Sequence, residues 1–394
     1  TNDVTDMLQR MRELAVQAVN DTNTQQDREY LQGEVSALVA EIDRVATQTQ
    51  YNGQAILDGS MSGKIQVGTE AGQTVSFSVA SIDTQSLGLA PATEPVEAVV
   101  AEFPTTSDWT QIGGNINGER SGDIAGTGVA MSADGKTIAV GAQYNSDTGF
   151  RAGNVRVFDL SDGEWLQRGT DIHGISANDL SGHWDSVSIS ADGNTIAVGS
   201  PGSDLSGENA GQVRVYQWSG LNWEQKGTDV LGESTHDMSG HAVALSGDGE
   251  ILAVGSPYND FSANNSGQVR IFKWEADSWN QLGDNLYGDY SNMYLGSSGL
   301  NLSADGSILS TGSYAANPNG NRSGQAMMYR WDGVSWNQIG SRIDGDAEND
   351  RLGRTMSISA DGQILAVGSD GSDTNGNNSG LARVYRLDND DWVQ

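Results

Sequence analysis

Three groups of side chains in this sequence could do chemistry, and the first is a pair of histidines. His183 and His241 occupy the same position in consecutive copies of a sequence repeat, where other copies have Thr127, Ser297 and Arg354. Imidazole nitrogens bind zinc, but a site needs at least three protein ligands. No third ligand is evident near the two histidines, so the pattern argues against a metal site.

The second group is a run of oxygen-bearing side chains, Asp373-x-Asn375-x-Asn377. Carboxylate and amide oxygens at alternate positions can face one hard cation, so the run resembles half of a calcium loop. The Gly that such a loop requires next is replaced by Asn378. A solvated turn, in which Asp and Asn side chains bond their own backbone, explains the same residues. We predict no cofactor, and calcium stays open as the alternative.

The third group is aromatic. Six tryptophans recur 56 to 58 residues apart, at Trp109, Trp165, Trp223, Trp279, Trp336 and Trp392. An exposed indole can stack on a sugar, whereas an aromatic side chain at a fixed strand position usually packs between neighbouring sheets. The regular spacing favours packing in the repeat core. Trp184 stands outside the pattern and is the better candidate for an exposed aromatic.

Motifs of known catalysts are missing from the sequence. It contains no His-Glu-x-x-His run, no P-loop and no Gly-x-Ser-x-Gly elbow at a strand-to-helix turn. The absence of cysteine excludes disulfides, thiolate metal sites and a cysteine nucleophile. The repeats are also nearly uniform, whereas an active site should make one copy chemically different. We therefore predict that the chain is not an enzyme.

The repeat that carries the tryptophans predicts the fold of residues 108–394. Every repeated Trp except the last begins Trp-x-Gln-x-Gly, and each complete unit has an Asp-Gly hairpin signal, as at Asp134-Gly135. Glycines follow seven and nineteen positions after that Asp. Four strands in about 57 residues indicate a blade of a β-propeller. Five complete units are visible, and the sequence leaves open whether the ring closes at five or is larger.

The propeller units are similar to FG-GAP-type repeats, as in the heads of integrin α-chains. They keep the Asp-Gly of the hairpin but lack the Asp-x-Asp-x-Asp-Gly calcium loop of that family.

The first fifty residues have helical periodicity. Met7, Met11, Leu14 and Ala18 form one apolar stripe, which predicts a helix from about Asp3 to Val19. A second helix begins after Thr24 and continues to about Thr47. Short strands are predicted near 64–68 and 73–79. Residues 90–107 mix Pro, acids and small residues, as an inter-domain linker does.

The N-terminal part resembles bacterial flagellin. The resemblance rests on Leu8 to Asn20, on Asp27 to Glu34 and on Glu41-Ile-Asp-Arg-Val-Ala-Thr-Gln-Thr-Gln-Tyr-Asn-Gly53. It continues through the segments 65–79 and 86–89, so it covers roughly residues 1–89. It implies an antiparallel helical hairpin of the D1 type with a small β segment. The C-terminal helices that complete the rod in that family do not follow, so we expect the chain to be a fragment.

The same resemblance implies partners and a surface. Partners would be other flagellin subunits in a homopolymer, an export chaperone and a filament cap. Arg10, Leu14 and Glu34 match the surface that packs in the protofilament and that Toll-like receptor 5 recognises in animal hosts. Secretion through the flagellar export system to an extracellular filament is likewise implied.

Composition narrows the remaining possibilities. A net charge of −31 makes nucleic acid and anionic membrane poor partners. No apolar run approaches the roughly 18 residues of a membrane span. The sequence thus predicts a multi-domain α plus all-β chain: helical domain 1–89, linker 90–107 and propeller 108–394. The expected function is a filament subunit that displays a propeller for interaction or adhesion. The alternative is an extracellular adhesin that binds a glycan or a host surface protein.

Overall fold

The computed structural model describes residues 2–18, 25–51, 54–67, 74–79, 81 and 110–394. The chain divides into two compact units, residues 1–109 and residues 110–394. The predicted linker and Trp109 lie outside the described residues, as does the segment 86–89.

The first unit contains two helices, α1 (Asn2–Ala18) and α2 (Gln25–Gln48), which pack against each other. Of the predicted stripe on α1, Leu14 is buried and Met7 and Met11 are half-buried, and on α2 Ile42 and Ala46 are buried. Four short strands follow: β1 (Gln50–Tyr51), β2 (Gln54–Ala55), β3 (Ser62–Gln66) and β4 (Thr74–Ser78). They pair as two antiparallel hairpins. Within the described ranges, no helix is both long and apolar enough to cross a bilayer.

The second unit is built from five antiparallel sheets whose strands follow the order of the chain. We call them blades 1 to 5. Blade 1 contains β5 (Ala125–Met131), β6 (Thr137–Ala142), β7 (Asn154–Ser161), β8 (Glu164–Gln167) and β9 (Ile172–His173). Blade 2 contains β10 (Val187–Ile189), β11 (Thr195–Ser200), β12 (Gln212–Trp218), β13 (Trp223–Gln225) and β14 (Val230–Leu231).

Blades 3 to 5 follow the same order. Blade 3 contains β15 (Ala242–Leu245), β16 (Ile251–Ser256), β17 (Gln268–Glu275), β18 (Ser278–Gln281) and β19 (Leu286–Tyr287). Blade 4 contains β20 (Ser298–Leu302), β21 (Ile308–Ser313), β22 (Gln325–Trp331), β23 (Trp336–Gln338) and β24 (Ile343–Asp344). Blade 5 contains β25 (Thr355–Ile358), β26 (Ile364–Ser369), β27 (Leu381–Asp388) and β28 (Asp391–Val393).

The structure adds one strand to the four predicted for each of blades 1 to 4. Each added strand has two residues and pairs with the third strand of its own sheet, as Val230 does with Val213. The added strand pairs with the same edge of the third strand as the fourth strand does, so the fourth and added strands together form the outer edge of the sheet.

The first strands of the five blades, β5, β10, β15, β20 and β25, lie side by side in that order. They line one central cavity of about 370 Å³, which we call the channel. Sheets that radiate from a channel in this way form a β-propeller.

Apolar side chains fill the spaces between consecutive blades. Ile271 of blade 3, for example, belongs to the same buried cluster as Leu309, Met327 and Tyr329 of blade 4. One face of each sheet therefore packs against the opposite face of the next sheet, which places the core between the blades.

The predicted Asp-Gly turns form with the same hydrogen bonds in every blade. In blade 4, the Ser303 hydroxyl donates to Asp305 (2.6 Å) and accepts the backbone N–H of Ile308 (2.9 Å). In blade 1 the equivalent hydroxyl, that of Ser132, is the main reason why the pKa of Asp134 lies below its ordinary value. The repeated Asp is thus part of the turn.

Candidate binding site at the channel mouth

A second cavity of about 700 Å³ lies at one end of the channel and shares lining residues with it. We call this end the channel mouth. Its wall comes from the loops that precede β10, β15 and β25 and from those that follow β21 and β26. Loops held at the end of a rigid barrel of strands are a common location for binding residues.

Blade 2 differs from its neighbours at the mouth. Ten positions separate Gly182 from Asp192, whereas eight separate the equivalent Gly240 and Asp248 of blade 3. The two extra positions give room for Trp184 and Asp185, which both line the cavity. Trp184 is 56% exposed. The expectation that Trp184 is an exposed aromatic agrees with this position. The longer spacing between Gly182 and Asp192 is the feature of the sequence that could have indicated the whole site.

The two histidines meet at the mouth. Ring centroids of His183 and His241 lie 5.0 Å apart, and the Nδ1 atom of each is buried without a hydrogen-bond partner in the described chain. Burial lowers the pKa of His183 to about 4, with repulsion from His241 contributing, and burial also lowers the pKa of His241. Both rings are therefore neutral at pH 7, so each offers one donor and one acceptor nitrogen.

Three arginines also line the cavity, namely Arg322, Arg351 and Arg354. Asp370 pairs with two of them, at 2.6 Å from Nη1 of Arg354 and 3.1 Å from Nε of Arg351. Asp185 is exposed to the cavity, but the surrounding protein desolvates its carboxyl and raises its pKa, although Arg354 acts in the opposite direction. Three arginines and two aspartates line the mouth, so the mouth has a small positive net charge in a chain whose net charge is −31.

Metal binding has no support from this geometry. Among the residues that the structure describes, no group of three His, Asp or Glu side chains is arranged to hold a metal ion. The two histidines come together without a third ligand.

The run that resembled a calcium loop closes a turn. Asp373 Oδ1 accepts the backbone N–H of Asn378 at 2.6 Å. Asp204 and Asp260 make the same bond in blades 2 and 3, at 2.7 and 2.6 Å. Asp373 and Asn377 also share a cavity with Glu348 and with two arginines, Arg322 and Arg351, which offset the negative charge that would attract a cation. These contacts favour the turn interpretation of Asp373, Asn375 and Asn377.

The repeated tryptophans lie at the joints between blades. The indole N–H of Trp223 in blade 2 donates to the carbonyl oxygen of Arg168 in blade 1 (2.9 Å). Four further indoles donate the equivalent bond to a backbone carbonyl oxygen of the preceding sequence repeat: Trp165 to Ile112, Trp279 to Lys226, Trp336 to Leu282 and Trp392 to Ile339. This position suits the packing role that the spacing favoured.

A lysine at one of these joints allows a test. Lys226 is almost fully buried, with Nζ 2.8 Å from Glu250 and 5.2 Å from the ring centroid of Trp274 in the next blade. Leu282 occupies the same position in the next sequence repeat, and it lies beside the pair Trp331 and Trp336.

We expect Lys226→Leu to change the free energy of unfolding by less than about 1 kcal/mol, because the chain itself uses leucine at this position and a buried ion pair adds little net stability. We expect Lys226→Ala to lose about 1–3 kcal/mol through lost packing. Urea denaturation of the two variants checks this; equal losses would contradict the packing argument.

The residues matched to the receptor-type surface are placed on the two helices. Nε of Arg10 and Oε1 of Glu34 form an ion pair at 2.8 Å, with both side chains nearly half exposed. Leu14 is buried. The ion pair therefore joins α1 to α2, and Leu14 contributes to the core of the first unit.

The N-terminal part of the chain matches a known family. Residues 1–62 match the family model of the bacterial flagellin N-terminal helical region. This finding confirms the resemblance to flagellin that the sequence showed.

Curated relatives agree with the family model. A flagellin from Shigella flexneri is 32% identical over 260 residues, which are 64% of this chain and 40% of that protein. The phase 1 flagellin of Salmonella naestved is 41% identical over 107 residues, 27% of this chain and 21% of that protein. The chain spans less than half the length of these relatives.

Some solved structures also have similarity to parts of the chain. FliC from Burkholderia pseudomallei is 23% identical with a TM-score of 0.21, and the match covers 57% of both chains. A putative TolB from Agrobacterium tumefaciens is 14% identical with a TM-score of 0.39, covering 68% of this chain and 78% of the other.

Proposed function

We propose that this chain, whose residues 1–62 match the flagellin N-terminal helical region, is part of a structural subunit of the bacterial flagellar filament. The family match is the observation that carries the proposal. Its partners would be further copies of the subunit, together with the export chaperone and the cap of the filament. The protein would be secreted through the flagellar export system and act outside the cell.

The first unit has the features that such a role needs. Its two helices pack against each other, Leu14 and Ile42 are buried, and the pair of Arg10 and Glu34 joins the helices. Long amphipathic helices stabilise protein assemblies by packing further apolar surface. We include the filament-packing and receptor-type roles of Arg10, Leu14 and Glu34 in the proposal.

The second unit would be displayed on the outer surface of the filament and would serve interaction or adhesion. The channel mouth supports this part, because it is a concave site with an exposed aromatic side chain next to charged groups, as binding sites have. A calcium requirement remains an alternative within this proposal, but the arginines beside Asp373 weigh against it.

Immunogold microscopy of the source bacterium tests the filament proposal. Antibodies raised against residues 110–394 should label filaments along their length. Replacement of residues 110–394 in the gene by a short Gly-Ser linker should abolish the label and leave filaments and swimming intact. Label confined to the cell body, beside unlabelled filaments, would overturn the proposal.

A further inference from the structure

We propose that the channel mouth binds an acidic sugar residue of a polysaccharide. Trp184 stacks on the apolar face of the pyranose, Arg351 and Arg354 pair with the carboxylate, and Asp185 bonds the hydroxyls. The inference rests on the proposed interaction role of the propeller and names its ligand class.

The aromatic part of the argument comes from Trp184. Trp184 is not one of the repeated tryptophans, whose indole N–H groups donate hydrogen bonds to the preceding sequence repeat, as that of Trp223 does. It is more than half exposed, and it lies on the wall of a cavity of about 700 Å³. That volume falls within the roughly 300–1,000 Å³ of small-molecule sites. A flat apolar surface inside a polar cavity suits a ring that has one apolar face.

The charged part comes from the arginines. Arg351 and Arg354 share one carboxylate, that of Asp370, so their guanidinium groups keep donors free for a second anion. Arg322 adds a third positive charge to the same cavity. A planar carboxylate is the anion that guanidinium groups bind in bidentate fashion.

The remaining polar group of the argument is Asp185, which lines the cavity next to Trp184 and is exposed there. The Asp185 carboxylate is an acceptor for hydroxyl groups and would repel a dianion such as phosphate. An acidic sugar offers the carboxylate and the hydroxyls together.

Isothermal titration of the full chain with trigalacturonate tests the proposal, alongside its methyl ester, galactotriose, free galacturonate and acetate. We expect one site for trigalacturonate, with binding at least tenfold weaker for the ester and for galactotriose, and none for acetate. Free galacturonate that binds as tightly as the trisaccharide would show that a small metabolite, rather than a polysaccharide, is recognised, and would overturn the polysaccharide assignment.

Matched variants test the residues. Trp184→Ala should weaken binding at least tenfold, whereas Phe261→Ala, at an exposed aromatic outside the mouth, should leave it unchanged. Arg354→Gln should weaken binding about tenfold or more, since hydrogen bonds to charged groups contribute about 1.5–3 kcal/mol. Arg386→Gln, which removes an exposed arginine that does not line the mouth, is its control.

Three further outcomes would overturn the proposal: no heat with trigalacturonate, equal affinity for its methyl ester, or equal affinity of the Trp184→Ala and Phe261→Ala variants. Unchanged thermal unfolding of each variant shows that it is folded. Because binding is measured on the chain in solution, its failure is distinct from a failure of the filament proposal.

Discussion

Gly255→Ala is expected to lower the free energy of unfolding by about 3 kcal/mol or more, at the upper end of the cost of overpacking. Gly255 lies in the second strand of blade 3, where the backbone of blade 4 approaches it closely. A Cβ at this position would overlap the carbonyl oxygen of Gly296 and would lie 3.0 Å from its carbonyl carbon. Both atoms belong to the backbone, so the clash is relieved only by moving one blade away from the other.

Blade 5 supplies the control. Gly368 is the equivalent glycine, but the atom that a Cβ would meet there is the hydroxyl of Thr355, and the nearest backbone atom of that residue lies 3.6 Å away. Thr355 is exposed and its side chain can rotate. We expect Gly368→Ala to change stability by less than about 1 kcal/mol, since alanine also restricts the unfolded chain.

Thermal and urea unfolding of the two variants in the full chain separates these effects. A large loss for Gly255→Ala with a small one for Gly368→Ala supports an interface of touching backbones between consecutive blades. Similar losses at both positions would mean that the strand itself, rather than the neighbouring blade, requires glycine.

The architecture of the second unit could be predicted from the sequence because the repeat is regular. The spacings from Asp134 to Gly141 and from Gly141 to Gly153 are the same in every complete repeat, and they are sufficient to locate the turns and strands. The motif Trp-x-Gln-x-Gly recurs with these spacings. In each described repeat its Trp lies at the equivalent joint with the preceding repeat. A repeat of this kind reports which positions are constrained by contacts between neighbouring units.

The candidate site could be predicted only in part. Trp184 was recognisable because it stands outside the repeat, and the longer spacing after Gly182 was visible. The contact between His183 and His241 was not expected, although equal positions in consecutive blades lie at equal depth along the channel. The pairing of Arg351 and Arg354 with Asp370 depends on how two loops pack, and sequence spacing does not fix loop conformation.

Ile271→Asp is expected to unfold the second unit or to cost several kcal/mol, whereas Val384→Asp should cost less than about 1 kcal/mol. The two residues occupy the same position of the third strand, since Ile271 pairs with Ala253 and Val384 with Ala366. Ile271 is 1% exposed between blades 3 and 4, and Val384 is 57% exposed on blade 5. An unpaired carboxylate is costly only where it is buried.

Chemical denaturation of both variants, with sedimentation of the unmodified chain at two concentrations, measures the difference and identifies its cause. The loss in free energy of unfolding caused by Val384→Asp is small if this face of blade 5 is in contact with water in solution. A loss at Val384 that equals the loss at Ile271 would mean that the face is covered in solution. In that case the unmodified chain should sediment as a dimer at high concentration, and Val384→Asp should make it a monomer, because an apolar sheet face buried between two copies cannot accommodate an unpaired charge.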